Sequence, residues 1–404
     1  MLMLRKTLGI GLLGSVFAAS LAAQRTWIVD QVAGPGVDFT DIPPAVAAAA
    51  AGDRIVVRGS TPGAPTYSSF VVGKPLDIEA TQGASVYFFR VENLTAGQVA
   101  RIAGFRCEPR PYYPLLDECV LVRNCVGTVL LANLNVWNRT GEYQPGFVVR
   151  DAVAVAIQGC VAVGRSAGLT TGGPALLVER SGVSITASTL NGGDGGGSAS
   201  NAAGYNGGNG IDVNASSVYV ATTTLQGGSG GYGWAWSGNG GYGAAVAAAP
   251  SSQVTIASCT VTRGMGPVNG DAVTGPARVA QDCVVTGALT NGAVLVPSTP
   301  KLTVSPTVAL GASAVVTIDG SQGSLCLVAF DLRHDHRALA GIAEPLLLSP
   351  ALVLGSIGVM TQPQFVWSLS IPNSPLLAER DLFFQAGLSS SSIALSPLGA
   401  TRMR

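Results

Sequence analysis

The stretch that decides the fold spans residues 176–225 and holds one motif twice. Its two copies are Leu176-Leu177-Val178…Val183-Ser184-Ile185…Thr189-Leu190 and Ile211-Asp212-Val213…Val218-Tyr219-Val220…Thr224-Leu225. Each copy contains short apolar runs that cannot build a sheet on their own. Units of this kind bury their apolar side chains by stacking on copies of themselves. The pattern therefore predicts a solenoid of stacked parallel strands.

The same unit recurs on both sides of this stretch. Further copies are Val120-Leu121-Val122…Leu131-Ala132-Asn133-Leu134-Asn135-Val136, Phe147-Val148-Val149…Ile157-Gln158-Gly159-Cys160-Val161-Ala162 and Val254-Thr255-Ile256…Cys259-Thr260-Val261. Alignment of the units gives one equivalent position, occupied by Phe105, Leu134, Cys160, Ser188, Thr223, Cys259 and Cys283. The spacing between these positions varies because of the loops at 137–146, 164–174, 191–209, 226–242 and 262–270. Since rungs stack about 4.8 Å apart, we expect these loops along one edge of the coil.

The charge balance limits the classes of partner. The chain has 404 residues, a formal net charge of +0 and 11% charged residues. Nothing in this balance suggests electrostatic capture of nucleic acid or of an anionic membrane. We therefore predict no nucleic-acid partner, and we expect a monomer.

The first 23 residues read as a secretory signal peptide. Arg5-Lys6 is followed by an apolar stretch over 8–17 and by small residues up to Ala23. No later segment is apolar and long enough to span a membrane. The sequence thus predicts an exported protein, secreted or at the cell surface, with no membrane span.

The segment after the leader predicts a capping helix. Asp41-Ile42-Pro43-Pro44-Ala45-Val46 places an N-cap before prolines in a first helical turn, and Gly52 is expected to end the helix before the strand Ile55-Val56-Val57. This stretch resembles the opening of right-handed parallel β-helix proteins of the pectin-lyase-like superfamily. The resemblance implies a small Ala-rich helix that covers the end of the coil and protects its unpaired strand edge.

The predicted fold is all-β and has three parts. These are a signal peptide at 1–23, a right-handed parallel β-helix solenoid with an N-terminal capping helix at 24–298, and a small β-sandwich-like domain at 299–404. The last part carries spaced strand-like segments broken by Gly, Pro and Ser. It also loosely resembles C-terminal modules of exported bacterial proteins, a resemblance that assigns no activity.

Seven cysteines in an exported chain raise the question of disulfides. Three of them, Cys160, Cys259 and Cys283, occupy the aligned repeat position, where we interpret Cys as a small inward-facing hydrophobe. Cys119 and Cys125 are close enough in sequence for a local bridge, and Cys107 is a competing partner. The sequence leaves that pairing open.

The resemblance implies that any catalysis occurs in a groove beside the long loops, on the first strand column. The outward pairs there are Leu121/Arg123, Val148/Arg150, Leu177/Glu179 and Asp212/Asn214, with Ala245 next in the column. The candidate catalytic residues are Arg123, Arg150, Glu179 and Asp212. The alternative, which we favour, is a charged ladder with Arg150 over Glu179 that solvates the face.

Two other clusters are candidates for ligands. Candidate ligand-binding aromatics in the two longest loops are Tyr205, Tyr232, Trp234, Trp236 and Tyr242, which suit stacking on sugar rings or, as we favour, fold back to anchor flexible loops. His334-Asp335-His336 fits an exposed polar turn better than a metal site. We predict no metal and no cofactor, except Ca²⁺ for a lyase.

Two functions remain. The first is a non-catalytic exported scaffold that contacts extracellular polysaccharide or a cell-surface partner through its loop edge. The second is a polysaccharide lyase or glycoside hydrolase acting in the groove. The mostly aliphatic outward column and the absence of a clustered Asp pair favour the scaffold.

Overall fold

The structure is a computed structural model. It describes residues 25–59, 66–81, 83–108, 118–137, 145–166, 170–197, 204–233, 242–265, 271–297, 300–332, 334–337, 346–348, 352–378, 380–389, 393–396 and 399–404. The predicted signal peptide, up to residue 23, lies outside these residues. Within them the chain is all-β, with a right-handed parallel β-helix followed by a largely antiparallel β domain. No helix in the described part is long and apolar enough to cross a membrane.

The β-helix has three columns of parallel strands. Column one contains β3 (Phe70–Val72), β6 (Phe89–Glu92), β13 (Leu176–Glu179), β16 (Ile211–Asn214), β19 (Val246–Ala248), β22 (Asp271–Thr274) and β25 (Ala288–Thr290). Column two contains β1 (Thr26–Val29), β2 (Arg54–Val57), β4 (Asp77–Ala80), β7 (Val99–Ala103), β14 (Gly182–Thr186), β17 (Ser217–Ala221), β20 (Gln253–Ala257), β23 (Ala277–Ala280) and β26 (Val294–Val296). Column three contains β5 (Ser85–Val86), β8 (Arg106–Cys107), β10 (Asn135–Trp137), β12 (Val161–Val163), β15 (Thr189–Asn191), β18 (Thr224–Gln226), β21 (Thr260–Thr262) and β24 (Val284–Thr286).

Two long strands join columns one and two into an 18-stranded sheet. They are β9 (Val120–Ala132) and β11 (Phe147–Gln158). Inward side chains from successive rungs stack in register, as Val149, Val178 and Val213 do in column one. These side chains are buried, and each contributes on the order of 1.5–3 kcal/mol relative to an exposed one. Stacking of the short apolar runs therefore forms the core, as the repeat predicts.

The aligned repeat position lies at the corner between columns two and three. The residue before it adopts a left-handed backbone, with φ of 49° at Ala187 and 52° at Ser258, which turns the chain between the columns. Ser188 Oγ accepts a hydrogen bond from Cys160 N at 3.1 Å and donates to Thr186 O at 2.8 Å. We call this rung-to-rung series the corner ladder. The alignment is confirmed, and its cysteines face inward as predicted: Cys160 and Cys259 are buried in the hydrophobic core of the coil, and Cys283 packs against it.

The other cysteines also remain unbridged. All seven are free thiols in the structure, and Cys107, Cys119 and Cys125 are buried. The local bridge considered for Cys119 and Cys125 is therefore not formed.

A short helix covers the first rungs of the coil. Helix α1 (Ile42–Ala48) begins after Asp41, whose Oδ1 accepts from Ile42 N at 2.8 Å. Its end at Ala48 corrects the expected end at Gly52, which instead lies in the following turn with φ of 91°. Strand β1 precedes the helix and pairs in parallel with β2, so the coil begins one strand earlier than predicted.

The C-terminal domain packs two sheets against each other. The first contains β27 (Lys301–Val304), β29 (Ser313–Asp319) and β34 (Gln364–Ser370). The second contains β28 (Thr307–Val308), β37 (Gly399–Met403), β35 (Asp381–Ser389), β30 (Leu325–Asp331), β33 (Val353–Val359) and β36 (Ile393–Leu395). A hairpin, β31 (His334–Arg337) with β32 (Leu346–Leu348), and a 3₁₀ turn at Pro375–Leu377 complete the described elements. Side chains such as Ile318 and Phe384 form the core between the sheets.

This domain docks on the outward face of column two. Leu130 and Ala156 of the coil form a buried cluster with Leu348 and Phe383 of the domain. His336 is also buried, and its Nε2 lies 2.9 Å from Ser217 Oγ. The expectation of an exposed polar turn is therefore wrong for His336, because residues 334–337 form strand β31 and His336 is buried against the coil. The described residues contain no group of three or more metal-ligating His, Cys, Asp or Glu side chains.

Candidate functional site

The outward face of column one carries the predicted catalytic candidates in regular register. Arg123 pairs with Arg150, Arg150 with Glu179, and Glu179 with Asn214. The neighbouring outward row continues from Asp212 to Ala247. Ala245, the residue expected there, is fully buried and precedes β19. The prediction is therefore wrong, and the outward residue is Ala247, two positions later.

The charged side chains of this face pair with one another. Arg150 Nε lies 2.6 Å from Glu179 Oε2 and Arg150 Nη1 lies 3.7 Å from Glu118 Oε1. Arg123 Nε lies 3.0 Å from Glu92 Oε1. Each of the two stacked arginines thus has its own glutamate, which offsets the repulsion between like charges on neighbouring rungs. The arrangement matches the ladder interpretation for Arg150 and Glu179.

A cavity of about 370 Å³ opens on this face. Its lining residues are Arg90, Glu118, Leu121, Arg123, Asn124, Arg150 and Asp151. Arg123 and Arg150 therefore share a site, whereas Glu179 and Asp212 are not among its lining residues. Asp212 accepts a hydrogen bond from Asn209 Nδ2 instead.

Four residues of the cavity were not predicted from the sequence. These are Arg90, Glu118, Asn124 and Asp151. Arg90 pairs in register with Leu121 one rung later, so extension of the outward column by one rung towards the N-terminus would have found it. Glu118 precedes β9, and Asn124 and Asp151 lie at bends inside β9 and β11, where φ values of 54° and 51° interrupt the period-two pattern.

The electrostatics of the cavity do not favour a general acid at Asp151. Arg180 donates from Nε and Nη2 to Asp151 at 2.6 Å and 2.9 Å. These hydrogen bonds lower the pKa of the Asp151 carboxyl. A carboxyl that protonates a leaving group needs a raised pKa, so Asp151 is poised to remain ionised.

The glycine-rich loops form a second surface, which we call the glycine layer. It comprises 164–166, 170–174, 192–197, 204–210, 227–233, 242–245 and 263–265. Its backbones are hydrogen-bonded from loop to loop, although they contain no helix or strand. One chain of bonds runs from Gly264 N to Gly243 O, from Gly243 N to Gly228 O, from Gly228 N to Gly208 O, from Gly208 N to Gly193 O, and from Gly193 N to Gly173 O. The segment of each loop that leaves a rung thus alternates across the layer with the segment that enters the next rung. We call these two segments the legs of the loop.

Close backbone contact explains the glycines of this layer. A Cβ atom on Gly193 would lie 1.9 Å from Arg165 O, and one on Gly208 would lie 2.1 Å from Gly173 O. No larger residue fits these positions without a shift of the backbone. From the sequence we expected aromatic rings to anchor these loops, whereas the described legs are joined by backbone hydrogen bonds as well.

Two tyrosines project from adjacent legs of the glycine layer. Gly231 N donates to Tyr205 O at 2.8 Å, which fixes the leg of Tyr232 beside that of Tyr205. Tyr232 is 81% exposed and Tyr205 is 40% exposed, whereas Tyr242 is partly buried. The fold-back interpretation is wrong for Tyr232. Trp234 and Trp236 lie outside the described residues.

Comparisons with known proteins give only distant similarities. No protein-family model and no curated protein matches the chain. Among solved structures, the enzymatically active domain of tailspike protein 2 of bacteriophage CBA120 is 11% identical, with 93% of this chain and 64% of that chain covered and a TM-score of 0.31. The full-length tailspike protein 2 of an Escherichia coli O157:H7 bacteriophage is 9% identical, with 92% and 63% covered and a TM-score of 0.22.

A superoxide reductase (neelaredoxin) from Ignicoccus hospitalis is 13% identical, with 26% of this chain and 80% of that chain covered and a TM-score of 0.16. The chain spans less than two thirds of the length of either tailspike chain. At such low TM-scores these similarities assign no function to the chain.

Proposed function

We propose that this chain is an exported, non-catalytic β-helix scaffold that binds extracellular polysaccharide, or a glycan-bearing cell-surface partner, through the glycine layer. The observation that carries the proposal is the exposure of Tyr205 and Tyr232 on neighbouring hydrogen-bonded legs. The predicted leader at 1–23 supports export. The Ala-rich opening supports a relationship to the pectin-lyase-like group.

The chemistry of the two tyrosines suits sugar rings. A tyrosine ring offers a flat apolar face and a hydroxyl that exchanges hydrogen bonds with polar groups. Because the legs of Tyr205 and Tyr232 are fixed by backbone hydrogen bonds, little loop ordering is required on binding. Polar side chains such as Asn206 and Ser229 lie beside them in the sequence. The surface is therefore suited to bind an extended glycan without reacting with it.

The proposal is tested by binding of purified protein to a panel of uronic-acid and neutral polysaccharides. For a glycan that binds, Tyr232→Ala and Tyr205→Ala are each expected to weaken affinity about tenfold, since a tenfold loss corresponds to roughly 1.4 kcal/mol. Tyr232→Phe is the matched control, because it keeps the ring, and should bind within about twofold of wild type. Unchanged affinity in both alanine variants would contradict the proposal.

A second candidate function is cleavage of polysaccharide in the column-one cavity. It is favoured by one observation, the shared cavity of Arg123 and Arg150 with Glu118 and Asp151. Its test is incubation with the same panel, with and without Ca²⁺, followed by assays for unsaturated products and new reducing ends. Turnover that is abolished by Arg150→Ala would replace the scaffold proposal with a lyase or hydrolase.

A further inference from the structure

We propose that Cys259 and Cys283 are a disulfide site that links the last rung of the coil, residues 283–296, to the rung before it. The two cysteines occupy the same corner-ladder position in successive rungs, directly before β21 and β24. These strands pair in parallel register, with Thr260 opposite Val284. Neighbouring rungs lie about 4.8 Å apart, within the Cα separation of about 4.4–6.8 Å that a disulfide spans.

The two sulfur atoms already lie together. Cys259 N donates a hydrogen bond to Cys283 Sγ at 3.4 Å, and the two thiols are also in hydrogen-bond contact. Cys160 occupies the same ladder position, but its ladder neighbours are Leu134 and Ser188, which cannot bond to it covalently. Within the corner ladder, only one pair of adjacent cysteines exists.

The two thiols differ in reactivity, and this difference determines which of them reacts first with an oxidant. Cys259 is 2% exposed, and burial raises the pKa of its thiol. Cys283 is more accessible, and its contact with the Cys259 thiol lowers its pKa. Cys283 is therefore the thiol that ionises first and attacks an incoming oxidant.

The oxidant is a small-molecule disulfide. The Cys283 thiolate attacks one sulfur of that disulfide, the S–S bond breaks, and one thiolate leaves. Cys259 then loses its proton and attacks the Cys283 sulfur of the mixed disulfide, which releases the second thiol. The two cysteines lose two electrons and two protons in total, and the oxidant is reduced to two thiols.

The proposed disulfide lies where it would stabilise the last rung of the coil. Leu295 is 59% exposed, although its register partner Val279 in the preceding rung is fully buried. Val284 and Val294 of the last rung are 65% and 50% exposed. Among the described strands, those of this rung pair with the coil on one side only, so the rung is prone to open locally. A covalent link across the corner would restrict that opening.

The test equilibrates the purified full chain with oxidised or with reduced glutathione, blocks the remaining thiols and maps the tryptic peptides. Arg263 and Arg278 separate the two cysteines, so a bond appears as two linked peptides. In the oxidised sample we expect this linked pair, a Tm higher by several degrees, and slower amide exchange over 284–296. Cys283→Ser should lose all three effects and still fold, since serine already fills the corner ladder at Ser188.

Cys160→Ser is the matched control, because it changes the same ladder position without removing either partner. It should keep the linked peptides and the rise in Tm. The proposal is overturned if Cys259 stays fully alkylatable after denaturation of the oxidised sample. It is equally overturned if Cys283 carries only glutathione, or if the rise in Tm persists in Cys283→Ser.

Discussion

At the scale of single residues, Asp53 holds the start of the coil together. Its carboxylate accepts hydrogen bonds from Arg25 N at 3.0 Å, Trp27 Nε1 at 2.9 Å and Ala50 N at 2.8 Å. Burial by itself would raise the pKa of this carboxyl, but the hydrogen bonds from Trp27, Ala50 and Arg25 lower it. One side chain thus joins β1, the end of the capping helix and β2.

We predict that Asp53→Asn lowers the free energy of unfolding by roughly 2 kcal/mol at neutral pH, because a charged acceptor shared by three donors is lost. The folded-state pKa of Asp53 is lowered, so its stabilisation is present above the unfolded pKa and is lost as the pH falls through the folded pKa. Wild type should therefore lose more stability than the variant between about pH 6 and about pH 3. Urea unfolding across that range measures the difference, and parallel pH profiles would contradict the prediction.

At the scale of elements, the features that depend on the side-chain pattern were predicted from the sequence, whereas those that depend on contacts between backbones were not. The stacked runs and the position of the corner ladder follow from apolar periodicity, and both are observed. The glycine layer gives no apolar pattern, because its contacts are between backbones. Its one signal is the triplet period of Gly192-Gly193-Asp194 and Gly227-Gly228-Ser229, which indicates extended legs with glycine at the contacts.

The candidate site was less predictable for the same reason. The register of Arg123, Arg150 and Glu179 follows from the period-two strand pattern. The ion pairs that Arg123 makes with Glu92 and Arg150 makes with Glu118 depend on side chains outside the aligned runs. These two ion pairs therefore could not be assigned from the aligned runs, whereas the pair of Arg150 and Glu179, which both lie in those runs, was predicted.

A glycine substitution tests the packing of the glycine layer. Gly208→Ala is expected to lower the free energy of unfolding by about 3 kcal/mol, because its Cβ would lie 2.1 Å from Gly173 O, a backbone atom. Gly34→Ala is the matched control, since nothing lies within 4 Å of its added Cβ, and should change stability by about 0.5 kcal/mol or less. Denaturant unfolding compares the two variants. Equal stabilities would show that the legs are not packed as described.

At the scale of the whole molecule, an ion network joins the coil to the C-terminal domain. Arg101 Nε lies 3.3 Å from Asp381 Oδ2, and Arg402 Nη2 lies 3.5 Å from Glu79 Oε2. Burial by itself would raise the pKa of both the Glu79 and the Asp381 carboxyl. At Glu79 the arginines Arg101, Arg54 and Arg402 outweigh burial and its pKa falls, whereas at Asp381 burial prevails and the pKa rises.

This asymmetry predicts unequal effects of two neutralising variants. Glu79→Gln should weaken docking of the domain more than Asp381→Asn, because only the Glu79 charge is stabilised in the docked state. The lowered pKa of Glu79 means that its contribution is lost as the pH falls through the folded pKa. Docking should therefore be less acid-sensitive in Glu79→Gln, while Asp381→Asn keeps the sensitivity. Limited proteolysis between the domains at neutral and acidic pH measures the docking of both variants and its dependence on pH. Weaker docking in Asp381→Asn than in Glu79→Gln would contradict the prediction.

Hydroxyl-radical footprinting of the protein with and without a bound polysaccharide tests the central claim most directly, because it reads tyrosine side chains one by one. The claim predicts that Tyr205 and Tyr232, which are 40% and 81% exposed, become protected when the glycan binds. Arg123 in the column-one cavity, whose side chain is 46% exposed, should react equally in both samples. Protection of Arg123 with unchanged reaction of both tyrosines would contradict binding through the glycine layer and place the glycan in the cavity.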